Sequence, residues 1–128
     1  MKLVVEVSAG ELVDKITILE IKRDNIQDET KLANINREYA VLVHVLDKAV
    51  VESDELTRLR SALKAVNAEL WHIEDDIRAQ ERAGAFGPEF VALARAVYRT
   101  NDRRAALKRE INELLRSDLV EEKSYAAY

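Results

Sequence analysis

Two sets of side chains recur at helical spacing and together could do chemistry. Trp71, Glu74, Asp75 and Arg78 share one side of a predicted helix, and Arg95, Tyr98, Asn101 and Asp102 share one side of the next. Residues three and four apart on a helix are surface neighbours. If the two helices pair, the sets converge, and carboxylates, guanidiniums, a phenol, an amide and an indole would surround one space. Such a set could grip a small anionic or polar ligand, or position a metal through carboxylate oxygens. The plainer reading, which we favour, is an ion-pair ladder on a solvated face with Trp71 as partial core. What keeps the sharper reading in play is that Trp71 is the chain's one tryptophan.

Other chemistry is thinly represented. There are no cysteines, which excludes disulfides and thiolate metal sites. His44 and His72 fall about 16 Å apart along the axes of an antiparallel helix pair, too far to share a metal, so each is expected at the surface. No glycine-rich phosphate loop and no nucleophile–base–acid set is visible. We assign no metal ligands, and the residues specify no cofactor.

The elements that must position these residues are four helices, expected over about 8–27, 30–51, 53–83 and 88–117. Ser8-Ala9-Gly10-Glu11 reads as a capping box, with Glu11 reaching back to the start of the helix. Ser53, followed by Asp54 and Glu55, reads as a second cap with acids at the positive end of the dipole. Gly84 to Pro88 reads as a turn with a glycine stop and a proline restart. The third helix carries the clearest seam, Leu56, Leu59, Leu63, Val66, Leu70, Ile73 and Ile77. The first is apolar on more than one side, as if touching several neighbours. On it, Glu11 with Lys15 and Lys22, and Asp14 with Asn25, read as a solvated stripe; the alternative is buried ion pairs. Leu3, Val5 and Val7 alternate with Lys2, Val4 and Glu6, the pattern of a short strand. That strand needs the C-terminal tail or another copy to pair with. The tail from Asp118 has no period, and its tyrosines either dock or fray.

Facing seam positions match in height through each of the three turns, which predicts an all-α, antiparallel up-down-up-down four-helix meander in one domain, 1–128. Two consequences follow. Arg23 and Arg104 fall at one height in an otherwise apolar layer, where they must reach solvent, meet carboxylates such as Glu20, Asp24, Glu38, Glu69 or Glu74, or face a bound anion. The last two helices also overhang the first two by roughly 15 Å. That hairpin carries Ile77, Phe86, Phe90, Val91, Leu93 and Val97, and a homodimer through it is expected.

Composition narrows the class. The formal net charge of −4 lacks the basic excess of a nucleic-acid binder. No apolar run approaches the roughly 20 residues of a membrane span. The first residues carry an acid too early for a signal peptide. Cytoplasm is the default location.

Three segments carry a resemblance: Ser8-Ala-Gly-Glu-Leu-Val-Asp-Lys-Ile-Thr-Ile-Leu-Glu-Ile-Lys22, Leu70-Trp-His-Ile-Glu-Asp-Asp-Ile-Arg78, and Ala94-Arg-Ala-Val-Tyr98 through Asn101-Asp102 to Ile111-Asn112, with Glu121-Glu-Lys-Ser-Tyr125 closing the chain. In these the sequence resembles a family of small uncharacterised bacterial proteins, often encoded near cell-surface polysaccharide and glycosyltransferase genes. The resemblance implies a bacterial cytoplasmic protein serving envelope-glycan assembly, and it brings no catalytic residues. A weaker likeness, in Glu11-Leu-Val-Asp-Lys15, is to the all-helical chorismate mutases, which bind an anionic substrate with Arg and Lys between helices. Arg23 and Arg104 would be counterparts in kind. The expected function is a non-enzymatic module binding a protein partner or a small anionic ligand. The alternative is a small helical enzyme acting on an anionic or metal-bound metabolite through the Trp71–Arg78 and Arg95–Asp102 cluster.

Overall fold

The computed structural model describes residues 1–128 and contains four helices and no strand. They are α1 (Ala9–Asn25), α2 (Glu29–Ala49), α3 (Asp54–Ala83) and α4 (Pro88–Leu114). Local chemistry sets their ends. The Ser8 hydroxyl accepts the Glu11 amide at 3.1 Å, the Asp28 carboxylate accepts the Lys31 amide at 2.9 Å, and the Ser53 hydroxyl accepts the Leu56 amide at 3.1 Å. Gly84 stops α3 at φ 66°, a left-handed conformation that costs glycine little, and Pro88 opens α4.

The helices do not stand in chain order. α1 lies in the groove of the α3–α4 hairpin, and α2 packs on α1 alone; the expected α2–α3 pair does not form. As α1 advances from Gly10 to Asp14, its partners on α4 retreat from Asn112 to Arg104, so the two run antiparallel. On its other side Asp14 and Thr17 meet Asn67 of α3. The reason lies in the distribution of apolar surface. α1 buries Leu12, Val13, Ile16, Leu19 and Ile21, which point to more than one side. α2 buries only Ile35 and Leu46 and leaves Val41 and Val45 exposed. A helix with one narrow apolar stripe can satisfy one neighbour, and α1 takes that place. The core joins Leu12, Val13 and Ile16 to Leu46, Leu56, Leu59, Leu63 and Ile111.

Residues 1–7 form no strand. None of their backbone groups hydrogen-bonds within the chain, and all seven side chains are exposed. Alternation marks a segment fit to be a strand, but a strand needs a ladder, and the chain supplies none.

Candidate functional site

The site grows from a polar layer set into the apolar core. Asp14, only 1% exposed, sits in α1 among Leu12, Val13, Ile16 and Thr17. Arg104 of α4 grips both oxygens of its carboxylate, Nε donating to Oδ1 at 2.9 Å and Nη2 to Oδ2 at 2.6 Å, and the Asn67 amide of α3 donates to Oδ1 at 2.9 Å. The same amide donates to the Thr17 hydroxyl at 3.0 Å, which donates to the Asp14 carbonyl. Every buried side-chain polar atom has a partner. A buried charge is tolerated on those terms. Burial pushes the Asp14 carboxyl up, but the hydrogen bonds from Arg104 and Asn67 and the charges of Arg104 and Lys108 outweigh it and hold it below the ordinary carboxylate value. The bond to Asp14 likewise raises Arg104 against its desolvation.

One turn further along α4 the layer opens to the surface. The Lys108 ammonium, in a residue 9% exposed, donates to Glu11 of α1 at 2.7 Å and to both oxygens of Glu121 at 3.3 Å. Burial alone would lower Lys108, but its acidic partners more than reverse this and raise it. The helices come close here because residue 10 is glycine. A Cβ at Gly10 would run into the Lys108 carbonyl, and the Gly10 amide donates to Asn112 Oδ1 at 2.6 Å.

Above Lys108 is a cleft of about 1270 Å³. α4 lines it with Tyr98, Asn101, Asp102, Arg104 and Lys108, α1 with Glu11, and the tail closes it with Glu121, Lys123, Tyr125 and Tyr128. The tail runs back along α4 as a strap. Glu121 meets Lys108, Glu122 meets Arg109, and Lys123 and the Tyr128 hydroxyl both meet Asp102. The Tyr128 ring lies 5.0 Å from that of Tyr98. The hydrogen bonds from Lys123 and Tyr128 lower Asp102, and the bond to Asp102 raises Tyr128.

Residues 1–128 match the model of a family described as "Family of unknown function (DUF6165)". The chain belongs to this family. No curated protein and no solved structure matches it. The DUF6165 match spans the buried layer, the cleft and the strap alike.

The structure divides the residues singled out from the sequence. Trp71, Glu74, Asp75 and Arg78 line a second, smaller groove of about 420 Å³ with Ile18, Ile21, Asn67 and Leu70. There Arg78 donates to Glu74 at 3.3 Å along one exposed helix face. Tyr98, Asn101 and Asp102 line the larger cleft instead. Arg95 is exposed and lines neither. Arg104 lines both, with Asp14 behind it. Arg23 lies 4.4 Å over the Tyr39 ring, a cation–π contact between α1 and α2, so the two arginines have different partners. A carboxylate was one of the partners expected for them, although Asp14 itself was not named, and the Tyr39 ring was not foreseen. His44 and His72 are both exposed. No group of three His, Asp or Glu side chains is arranged to hold a metal ion, and no helix is long and apolar enough to cross a membrane.

Sequence reasoning missed Asn67, Lys108, Asn112 and Glu121; Asp14 reads first as solvated, and the structure takes the alternative of a buried ion pair. The solvated stripe expected on α1 holds for Lys15 but not for Asp14 or Glu11, whose ion pairs are buried or nearly so. The signal was there in part: Asp14 interrupts Leu12, Val13, Ile16 and Thr17 on a helix already apolar on several sides. Glu11, expected to reach back to its own helix start, instead takes Lys108.

Proposed function

We propose that the chain is a binding module for a small anionic ligand, held in the cleft between α4, the first turn of α1 and the C-terminal strap. One observation carries the reading. The ammonium of Lys108 lies at the cleft floor, and its outer partner, Glu121, belongs to a segment with no backbone–backbone hydrogen bond beyond Ser117. Glu11 holds Lys108 at 2.7 Å, whereas Glu121 holds it at 3.3 Å. An incoming phosphate or carboxylate can replace Glu121 while keeping the buried charge matched. Tyr98 and Asn101 then offer a ring face and an amide to whatever the anion is attached to.

The directions of the pKa shifts favour binding over the enzymatic alternative. Asp14 is held ionised and Arg104 and Lys108 are held protonated, which suits charge recognition better than proton transfer near neutral pH. From the sequence resemblance we carry a bacterial, cytoplasmic setting in envelope-glycan assembly, where sugar nucleotides are natural candidates.

Thermal-shift titration with pyrophosphate, glucose 1-phosphate and a uridine diphosphate sugar tests the reading. Binding raises the melting temperature by mass action. Glu121→Gln, which removes the internal competitor, tightens binding of the active probe, and Lys108→Met abolishes it. If none of the probes shifts the wild type or Glu121→Gln, the proposal fails.

A further inference from the structure

We propose that residues 1–7 pair with the same residues of a second copy as an antiparallel two-stranded ribbon centred on Val4. The segment is built for a strand and has no partner in its own chain. Leu3 and Val4 are each 82% exposed and Val5 76%, and no backbone amide or carbonyl from 1 to 7 is hydrogen-bonded within the molecule. Such an open edge is a template for pairing.

The sequence also says what the partner is. In an antiparallel pair centred on Val4, residue 2 faces residue 6 of the other copy, 3 faces 5, and 1 faces 7. Lys2 then lies opposite Glu6 twice over, on the face that also carries the Val4 pair, and opposite charges directly across a ladder stabilise it. The other face becomes continuous and apolar, with Met1, Leu3, Val5 and Val7 from each copy. The segment is thus complementary to itself in charge and in hydrophobicity, as a two-fold contact requires. Its own tail is engaged elsewhere, because Glu121, Glu122, Lys123 and Tyr128 are tied to α4. A two-stranded ribbon is marginal by itself and needs cover for its apolar face. Leu119 and Val120, 44% and 47% exposed, lie just past Ser117, whose hydroxyl accepts the Ala9 amide at the root of the segment.

The hairpin expected to hold a dimer is a poorer candidate. Ile77, Phe90, Leu93 and Val97 are partly covered there, leaving Phe86 and Val91 as its largely exposed apolar side chains. α4 has 27 residues, which puts the two sites roughly 40 Å apart, so one measurement can tell them apart.

Sedimentation equilibrium on the full chain at micromolar concentration is the test. The wild type is expected to be a dimer. Lys2→Glu and Glu6→Lys should each weaken self-association about ten-fold, since each sets like charges opposite one another at two places. An equimolar mixture of the two variants should regain dimer, because one chain is then acidic at both positions and the other basic. The changes lie outside every helix, so circular dichroism should stay constant. The register is read separately in a chain that has no cysteine. Val4→Cys should cross-link on oxidation and Val5→Cys should not, because only residue 4 faces itself, at a Cα separation of about 4.5–5.5 Å that a disulfide can span. A monomeric wild type, a dimer indifferent to both charge reversals, or cross-linking through Val5→Cys alone would overturn the proposal.

Discussion

Gly10 shows how much a single missing methyl group sets in this molecule. In most helices alanine is the better residue than glycine by up to about 1 kcal/mol. Here the added carbon meets the Lys108 carbonyl, which is backbone and cannot swing aside. α1 would have to move off α4 and strain the Gly10–Asn112 and Glu11–Lys108 bonds. We therefore expect Gly10→Ala to destabilise by about 1–3 kcal/mol, the overpacking range, reversing the usual sign. Urea unfolding with an unchanged m-value measures this, and a neutral or stabilising result would mean that the helices are not in contact there.

At the scale of elements, the strap and the bundle differ in kind. α1, α3 and α4 are held by buried side chains, whereas residues 119–128 are held by ion pairs that, Lys108 apart, lie largely in water, and by the contacts of Tyr128 with Asp102 and Tyr98. Such pairs contribute from nothing to about 1 kcal/mol each. Removing residues 119–128 should thus leave the helical signal intact and lower the melting temperature by only a few degrees, about what 1 kcal/mol does in a domain this size. Collapse of the fold on truncation would show the strap to be structural. The same contrast explains what could be read from the sequence. Helix ends were legible because Ser8, Ser53, Gly84 and Pro88 act within one turn of themselves. The α3–α4 hairpin was legible because a short turn joins two long seams. The α2–α3 pair was expected and is absent, because a seam tells which face is apolar but not which neighbour will cover it. The several-sided apolarity of α1 was the better guide, since it named the helix that would lie at the centre. The partner of Asp14 was hidden for a related reason: Arg104 is ninety residues away, and nothing local to either residue names the other.

For the whole molecule, the buried charges predict how stability depends on pH. Asp14 titrates lower in the folded chain than its ordinary value of about 3.9. The unfolded chain therefore takes up that proton first as pH falls. The stability Asp14 contributes is complete above the unfolded value and is lost as pH drops through the folded one. Lys108 is displaced upward from about 10.4, so its contribution is complete below that value and is lost as pH rises through the higher folded one. Between these limits neither group changes its charge in either state. The melting temperature should then be flat from about pH 5 to 9, fall steeply below about pH 4, and fall again in strong alkali. Asp14→Asn separates this group from the other carboxylates. It lowers the plateau by leaving Arg104 unmatched, a loss of about 2–4 kcal/mol because Arg104 keeps some access to water. It also makes the acid limb shallower, since the group with the most buried carboxylate no longer titrates. An acid limb identical in Asp14→Asn and wild type would show that the Asp14–Arg104 pair does not couple protonation to folding.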